Sequence, residues 1–411
     1  NSTVIGLQKD GTINHRPGYD LCFQAPKSVS ILAMDGGDKR LYDAHLDAVK
    51  ETLKIIQRDC AQSKVFKNGQ IRFENTKNLT VALVRHTTSR ELDLHLHHHA
   101  LVMNVTKKQD NAWRALGSSM AKNKGQVNGF FERIHNNQIY YGLIYKSALA
   151  NKVQSLGCEL EVVGRHGMWE IKGVPKEARD IMSKRRFQIE ERIDKLNYPS
   201  LKAADVAALD TREKKSKNIK LAEIKQTWKA ELASVGFSSK EFIAQIDKSR
   251  NERALHEKIE KNILGSSNTF DIEGSKRTIR DAVEHLSQYN LKLDYAKIIA
   301  QSLEFSIGKN THNDIVIALN DFIKDGNLIP LDKSGSVFVT KELIDVEKNI
   351  LDIIDRSRRT NAEVHLKNKI IDIAKNKENT IHIINNTIHN RDFLIKKNKT
   401  SFEKKLQLFL D

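Results

Sequence analysis

The chain has 411 residues, with 68 Lys plus Arg against 52 Asp plus Glu, a formal charge of +16, 39% hydrophobic and 29% charged residues. At ~150 residues per domain this predicts two or three domains, and no apolar run approaches the ~18 to 20 residues of a membrane span. Residues 1–11 lack a basic start followed by an apolar segment, so no signal peptide is expected, and three scattered cysteines (Cys22, Cys60, Cys158) support neither a disulfide framework nor a thiolate zinc site. A reducing cytoplasm is the expected location. The positive surplus favours a polyanion, nucleic acid first, through release of condensed counterions. Biased Lys and Asn usage is its alternative source.

The chain opens on Asn1, and residues 1–13 run directly into a strand, which predicts an N-terminally incomplete protein. Residues 20–24 alternate with period two and Pro26 follows, predicting strand then helix. A second helix is expected near Asp38, with Leu41, Val49, Leu53, Ile56 and Cys60 on one stripe. Residues 79–86 and 95–105 read as two strands joined by the polar segment 87–93, an antiparallel pair. One long helix is expected over 128–157, burying Phe131, Ile134, Ile139, Leu143 and Ala148 and ending at Gly157. Residues 158–163 and 168–171 read as a hairpin. A charged helix over 176–196 carries Lys184, Arg185 and Arg186 side by side, and residues 211–218 mark a flexible junction before a helix containing Trp228. The polar residues 251–268 are the expected main boundary. Beyond them, helices over 275–286, 295–303 and 314–324 and strands over 328–331 and 337–340 form a winged-helix pattern. The fold class expected is therefore α/β (α+β), an antiparallel sheet partly covered by helices followed by a mainly α, winged-helix-like part. No internal repeat and no G-x-x-x-x-G-K-[ST] phosphate loop is present.

Five of the 15 histidines fall within the 14 positions from His86 to His99. In a strand, His97 and His99 project from one face and His98 from the other. With His86 from the neighbouring strand they can converge on one ion, leaving open positions for water or a phosphate oxygen. His95 shares their parity and is the alternative ligand.

On these residues the sequence resembles the TraI/TrwC-type conjugative relaxases, the MobF group of the HUH endonuclease superfamily. The resemblance rests on residues 15–30 (His-Arg-Pro-Gly-Tyr-Asp-Leu-Cys-Phe-Gln-Ala-Pro-Lys-Ser-Val-Ser), on His86 with Thr88-Ser-Arg90, His97-x-His99 and Asn104, on residues 163–170, and on residues 205–212. It implies nicking and rejoining of single-stranded DNA at an origin of transfer. In that chemistry a tyrosine attacks the scissile phosphate to leave a 5′-phosphotyrosyl bond. It also implies relaxosome and other conjugation proteins as partners. His86, His97 and His99 match the metal ligands, for Mg²⁺ or Mn²⁺ in use, with Zn²⁺ or Ni²⁺ as possible occupants, and Asp20 matches the aspartate beside the metal. Arg90 is placed to meet a phosphate. Gln138 and Lys146 match the helix along the bound strand, with an ordinary solvated face as the alternative. Trp169 and Trp228 are candidates for base stacking or for core.

The resemblance divides the chain into a catalytic core lacking its N-terminal strand (1–200), its helical lid (201–268), a winged-helix-like module (269–345) and the truncated start of a helicase-like region (346–411). His98 departs from the usual small or hydrophobic residue between the last two histidines. The family's nucleophilic tyrosines lie upstream of residue 1, so the nucleophile is unassigned. Tyr19 is the nearest candidate but belongs to a motif of its own. This chain alone is therefore expected to be inactive. Two rivals remain: a single-stranded-DNA-binding fragment that needs a separate N-terminal piece, and an unrelated three-histidine metallohydrolase.

Overall fold

The computed structural model describes residues 17–117, 129–195, 221–264 and 271–360. They belong to two compact units, residues 1–269 with 307–311, and residues 270–306 with 312–411.

In the first unit β1 (Gly18–Gln24) leads through Pro26 into α1 (Lys27–Met34). Proline has no side-chain acceptor to cap a helix, and Glu170 supplies one instead: its carboxylate accepts from the Ser28 N–H at 2.7 Å, the Lys27 N–H at 3.2 Å and the Ser28 hydroxyl. The next helix, α2 (Lys39–Cys60), starts where Asp38 accepts from the Arg40 N–H, and Leu41, Val49, Leu53, Ile56 and Cys60 are buried along it as their spacing predicts. A hairpin of β2 (Gln62–Lys67) and β3 (Gln70–Asn75) follows, then β4 (Val81–Thr88), β5 (Leu94–Met103) and the short β6 (Thr106–Lys107) and β7 (Trp113–Arg114).

Strands β1, β5 and β4 form one antiparallel sheet with β5 in the middle. Gln24, His97 and His86 are opposite one another, as are Cys22, His99 and Val84, while Phe23, His98 and Arg85 occupy the intervening row and point to the other face. Gly18 is required by closeness, because a Cβ there would sit 2.5 Å from the Val102 carbonyl oxygen.

Three departures from expectation concern helices. The expected helix over 128–157 is two, α3 (Phe130–Asn136) and α4 (Gln138–Ser155). Asn137, at φ −118° and ψ 23°, breaks it and donates from its amide to the Arg133 carbonyl, a local bond that competes with the helix. The offset between the two helices leaves Phe131 and Ile139 exposed rather than in the expected stripe. Gly157 ends α4 at φ +93° as anticipated. After the hairpin of β8 (Leu160–Val162) and β9 (Trp169–Ile171), the charged helix is likewise divided, into α5 (Lys176–Ile181) and α6 (Lys184–Lys195), where Ser183 bonds back to the Arg179 carbonyl. Finally α7 (Leu221–Ser234) contains Trp228, and α8 (Ser239–Leu264) runs through most of the stretch read as a polar boundary. Its Glu, Lys, Arg and Ala content suits a helix without an apolar stripe. Residues 205–218, which hold one motif and the expected junction, lie outside the described residues.

The second unit contains α9 (Ile272–Ser287), β10 (Leu293–Asp294), α10 (Tyr295–Phe305), α11 (His312–Lys324), β11 (Leu328–Pro330), β12 (Val337–Thr340) and α12 (Lys341–Thr360), with a three-stranded sheet in the order β10–β12–β11. Ile279, Ile298, Leu303, Ile315, Leu319 and Phe338 are among the side chains of its core. Two residues are too few to display a period of two, so β10 left no sequence signal. No described helix is long and apolar enough to cross a membrane.

Candidate metal centre

On the sheet face turned away from α2 and α4, the ligand nitrogens of His86, His97 and His99 lie within 4.8 Å of one another. Ring centroids are separated by 5.2 Å for His86 and His97, 4.8 Å for His86 and His99, and 5.3 Å for His97 and His99. The tautomers follow from the partners. His97 Nδ1 lies 2.9 Å from the His95 carbonyl oxygen, and His99 Nδ1 lies 2.8 Å and 2.9 Å from the two Asp20 carboxylate oxygens. Both partners accept only, so Nδ1 carries the proton in each ring and Nε2 is left as the ligand atom. Burial, aided by the neighbouring His86 and His99, lowers the pKa of His97 and favours the neutral, ligating form. Three imidazole nitrogens from two adjacent strands, one ring held by a carboxylate behind it, fit a divalent ion with open positions.

His95 is not part of this cluster. Burial first, then the Lys27 and His97 charges, push its pKa down to about 3. It lines a cavity of about 1160 Å³ that runs along β1 and also takes in Asp20, Lys27, Phe131, Gln138, Lys146, Arg185 and Arg186. The three clustered histidines do not line that cavity, and Asp20 is the residue common to both places. Burial lowers the pKa of Lys27 to about 8 against the opposing pull of Asp93 and Glu170, and its ammonium donates to the Leu94 carbonyl at 2.8 Å.

Gln138 is exposed on the cavity wall, and Lys146 donates to the His166 carbonyl at 2.6 Å. Arg90 is exposed on the turn between β4 and β5, outside the cavity lining. Tyr19 is buried against Phe130 and Phe131, on the strand face opposite to Asp20. Both tryptophans considered for base stacking are core: Trp169 donates to the Lys146 carbonyl at 3.1 Å and Trp228 to the Leu92 carbonyl at 2.7 Å. The sequence reading gave no site role to Lys27, Phe131, Arg185 or Arg186. The adjacent basic residues at the start of α6 were a visible signal, whereas the position of Phe131 depends on the unanticipated break at Asn137.

Fold and site together define a class of α/β protein that gathers three strand-borne imidazoles and one carboxylate on the open face of an antiparallel sheet. The TrwC relaxase family matches residues 3–235, more than half of the chain, and the chain belongs to that family. It is 37% identical over 340 residues to the multifunctional conjugation protein TraI of Escherichia coli (strain K12), a match covering 82% of this chain and 18% of that protein. The chain thus spans less than a fifth of the length of that relative. A solved structure of the conjugative relaxase TrwC in complex with mutant oriT DNA is 32% identical, covers 56% of this chain and 78% of that one, and superposes with a TM-score of 0.50. A metal-bound structure of TrwC with oriT DNA is 30% identical and covers 57% and 77%, with a TM-score of 0.49.

Proposed function

We propose that this chain is the relaxase portion of a conjugation protein, which nicks and rejoins single-stranded DNA at an origin of transfer. The observation that carries the reading is the histidine cluster with the Nδ1 atoms of His97 and His99 both engaged, joined through Asp20 to a basic cavity. Family membership and the DNA held by TrwC support it. His86, His97 and His99 would hold a divalent ion, Mg²⁺ or Mn²⁺ in use with Zn²⁺ or Ni²⁺ as other occupants. When bound, such an ion neutralises charge on the scissile phosphate and orients it. Asp20 holds the His99 ring in one tautomer and one direction. Lys27, Arg185 and Arg186 offer positive charge to the DNA backbone along the cavity. Phe131 and His135 have parallel rings 5.8 Å apart, Phe131 is 44% exposed, and both line the cavity, an arrangement suited to stacking an unpaired base.

The nucleophile is a separate matter. Among the described tyrosines of the first unit, Tyr19 faces away from Asp20, Tyr42 lies on α2 against His98 on the covered face of the sheet, and Tyr140, Tyr141 and Tyr145 are buried. In-line attack needs an oxygen held within about 3.5 Å of phosphorus. These placements support a reading in which the chain alone binds DNA and metal without nicking, and a family segment carrying the tyrosine, in cis or as a separate chain, restores cleavage. The test is a denaturing gel of labelled origin oligonucleotide with and without that segment. A covalent 5′ adduct is expected only with it, and an adduct formed by the chain alone would place the nucleophile among these residues. Calorimetric titration with Mn²⁺ tests the metal: about one ion per chain is expected, and equal binding by a His97→Ala, His99→Ala double variant would remove the site.

A further inference from the structure

Behind the ligand strand, on the covered face of the sheet, three buried polar side chains form one line. Tyr145 Oη on α4 lies 2.7 Å from His45 Nδ1 on α2, and His45 Nε2 lies 2.8 Å from His98 Nδ1 on β5. Their exposures are 4%, 0% and 2%. The order of the protons follows from what each group can give. A buried phenol must direct its proton to an acceptor, and Tyr145 faces His45 Nδ1. A neutral His45 that accepts at Nδ1 carries its proton at Nε2, which it donates to His98 Nδ1. His98 then holds its own proton at Nε2.

His98 lies between His97 and His99, and successive strand side chains point to opposite faces. Rotation of the backbone at residue 98 therefore swings both neighbouring imidazoles together. An apolar side chain at this position could slide against α2, whereas a hydrogen bond from a buried donor on the helix sets one direction. We propose that His98, His45 and Tyr145 are positioning residues for the metal centre: their directed hydrogen-bond line fixes the rotation of β5 and so the aim of His97 and His99. The inference rests on the reading of His86, His97 and His99 as metal-holding.

The test separates the acceptor at residue 98 from its bulk. His98→Leu keeps most of the volume and loses the acceptor, while His98→Asn keeps an oxygen acceptor near the position of Nδ1. Mn²⁺ titration of the full chain, with urea unfolding measured in parallel, should give about 10-fold weaker binding for His98→Leu and binding within about threefold of wild type for His98→Asn. Wild-type affinity in both variants, or equal weakening in both, would overturn the proposal in favour of packing alone. Absence of Mn²⁺ binding by the wild type would instead remove the metal centre itself. Should His98→Leu fail to fold, histidine ¹⁵N NMR of the wild type decides independently. His45 and His98 are both expected as Nε2–H tautomers, and an Nδ1–H signal from either would overturn the donor order.

Discussion

Asp20 is half exposed on the edge strand of the described sheet, yet both of its oxygens face His99 Nδ1. Its replacement should be felt as lost ligand orientation. Asp20→Ala is expected to weaken Mn²⁺ binding about 10-fold, and Asp20→Asn, which keeps an acceptor but not the charge, by less; calorimetry ranks the two, and the opposite order would refute the account. The ligands themselves were legible, because strand parity alone puts His97 and His99 on one face. The Asp20 contact was not derivable that way: the residue directly across from His99 is Cys22, and Asp20 reaches His99 on the diagonal, which only the register reveals. Behind the strand, burial holds the His45 pKa down to about 3. Its unfolded value is near 6.5, so above that pH neither state is protonated and stability is unaffected. As pH falls from about 6.5 toward about 3 the unfolded state alone takes up the proton, at about 1.4 kcal/mol per pH unit. Urea unfolding at pH 7.5 and 5.0 should therefore show an acid loss that is smaller by about 2 kcal/mol in His45→Gln. An unchanged difference would mean that His45 is not the group responsible.

The turn between β4 and β5 joins the strands that carry all three clustered histidines, and it is anchored from outside the sheet. Leu92 has φ +62°, a region that side chains with a Cβ seldom occupy, and its carbonyl accepts from the Trp228 indole at 2.7 Å. Beside it, Lys184 on α6 pairs with Glu231 on α7 and lies 3.5 Å from Asp93. Helices α6 and α7 thus hold the hairpin at its tip. Trp228→Phe keeps the buried ring and removes the donor, and should cost about 1–3 kcal/mol in urea unfolding because the Leu92 carbonyl loses its partner. A variant as stable as wild type would show that water or another donor replaces the indole. At this scale the periodic elements were readable: α2, the β4–β5 pair and the β8–β9 hairpin follow from stripe and alternation. The breaks at Asn137 and Ser183 were not, since each is a side-chain-to-backbone bond inside an otherwise continuous helical pattern.

Over the whole molecule the charge of +16 sets how a nucleic acid would be held. If the basic cavity follows a DNA backbone, the logarithm of the affinity for single strands should fall linearly with the logarithm of salt, by about 0.7 per phosphate contacted. Duplex should bind less tightly, because stacked bases cannot reach Phe131; affinity independent of salt would contradict the reading. Where the charge sits was not legible in composition, because Lys184 is tied to Glu231 and Asp93, and Arg186, which lines the cavity with Arg185, is paired with Glu190 of its own helix. The position of β5 has a consequence of another kind. It is bonded along one edge to β1 and along the other to β4, so its amides exchange with solvent only when a neighbouring strand separates. Two of the three clustered imidazoles therefore have no private way of coming apart by fraying. Deuterium should enter the backbone around His97 and His99 as slowly as it enters anywhere in the first unit. A bound ion should slow that uptake across the whole sheet rather than at the histidines alone.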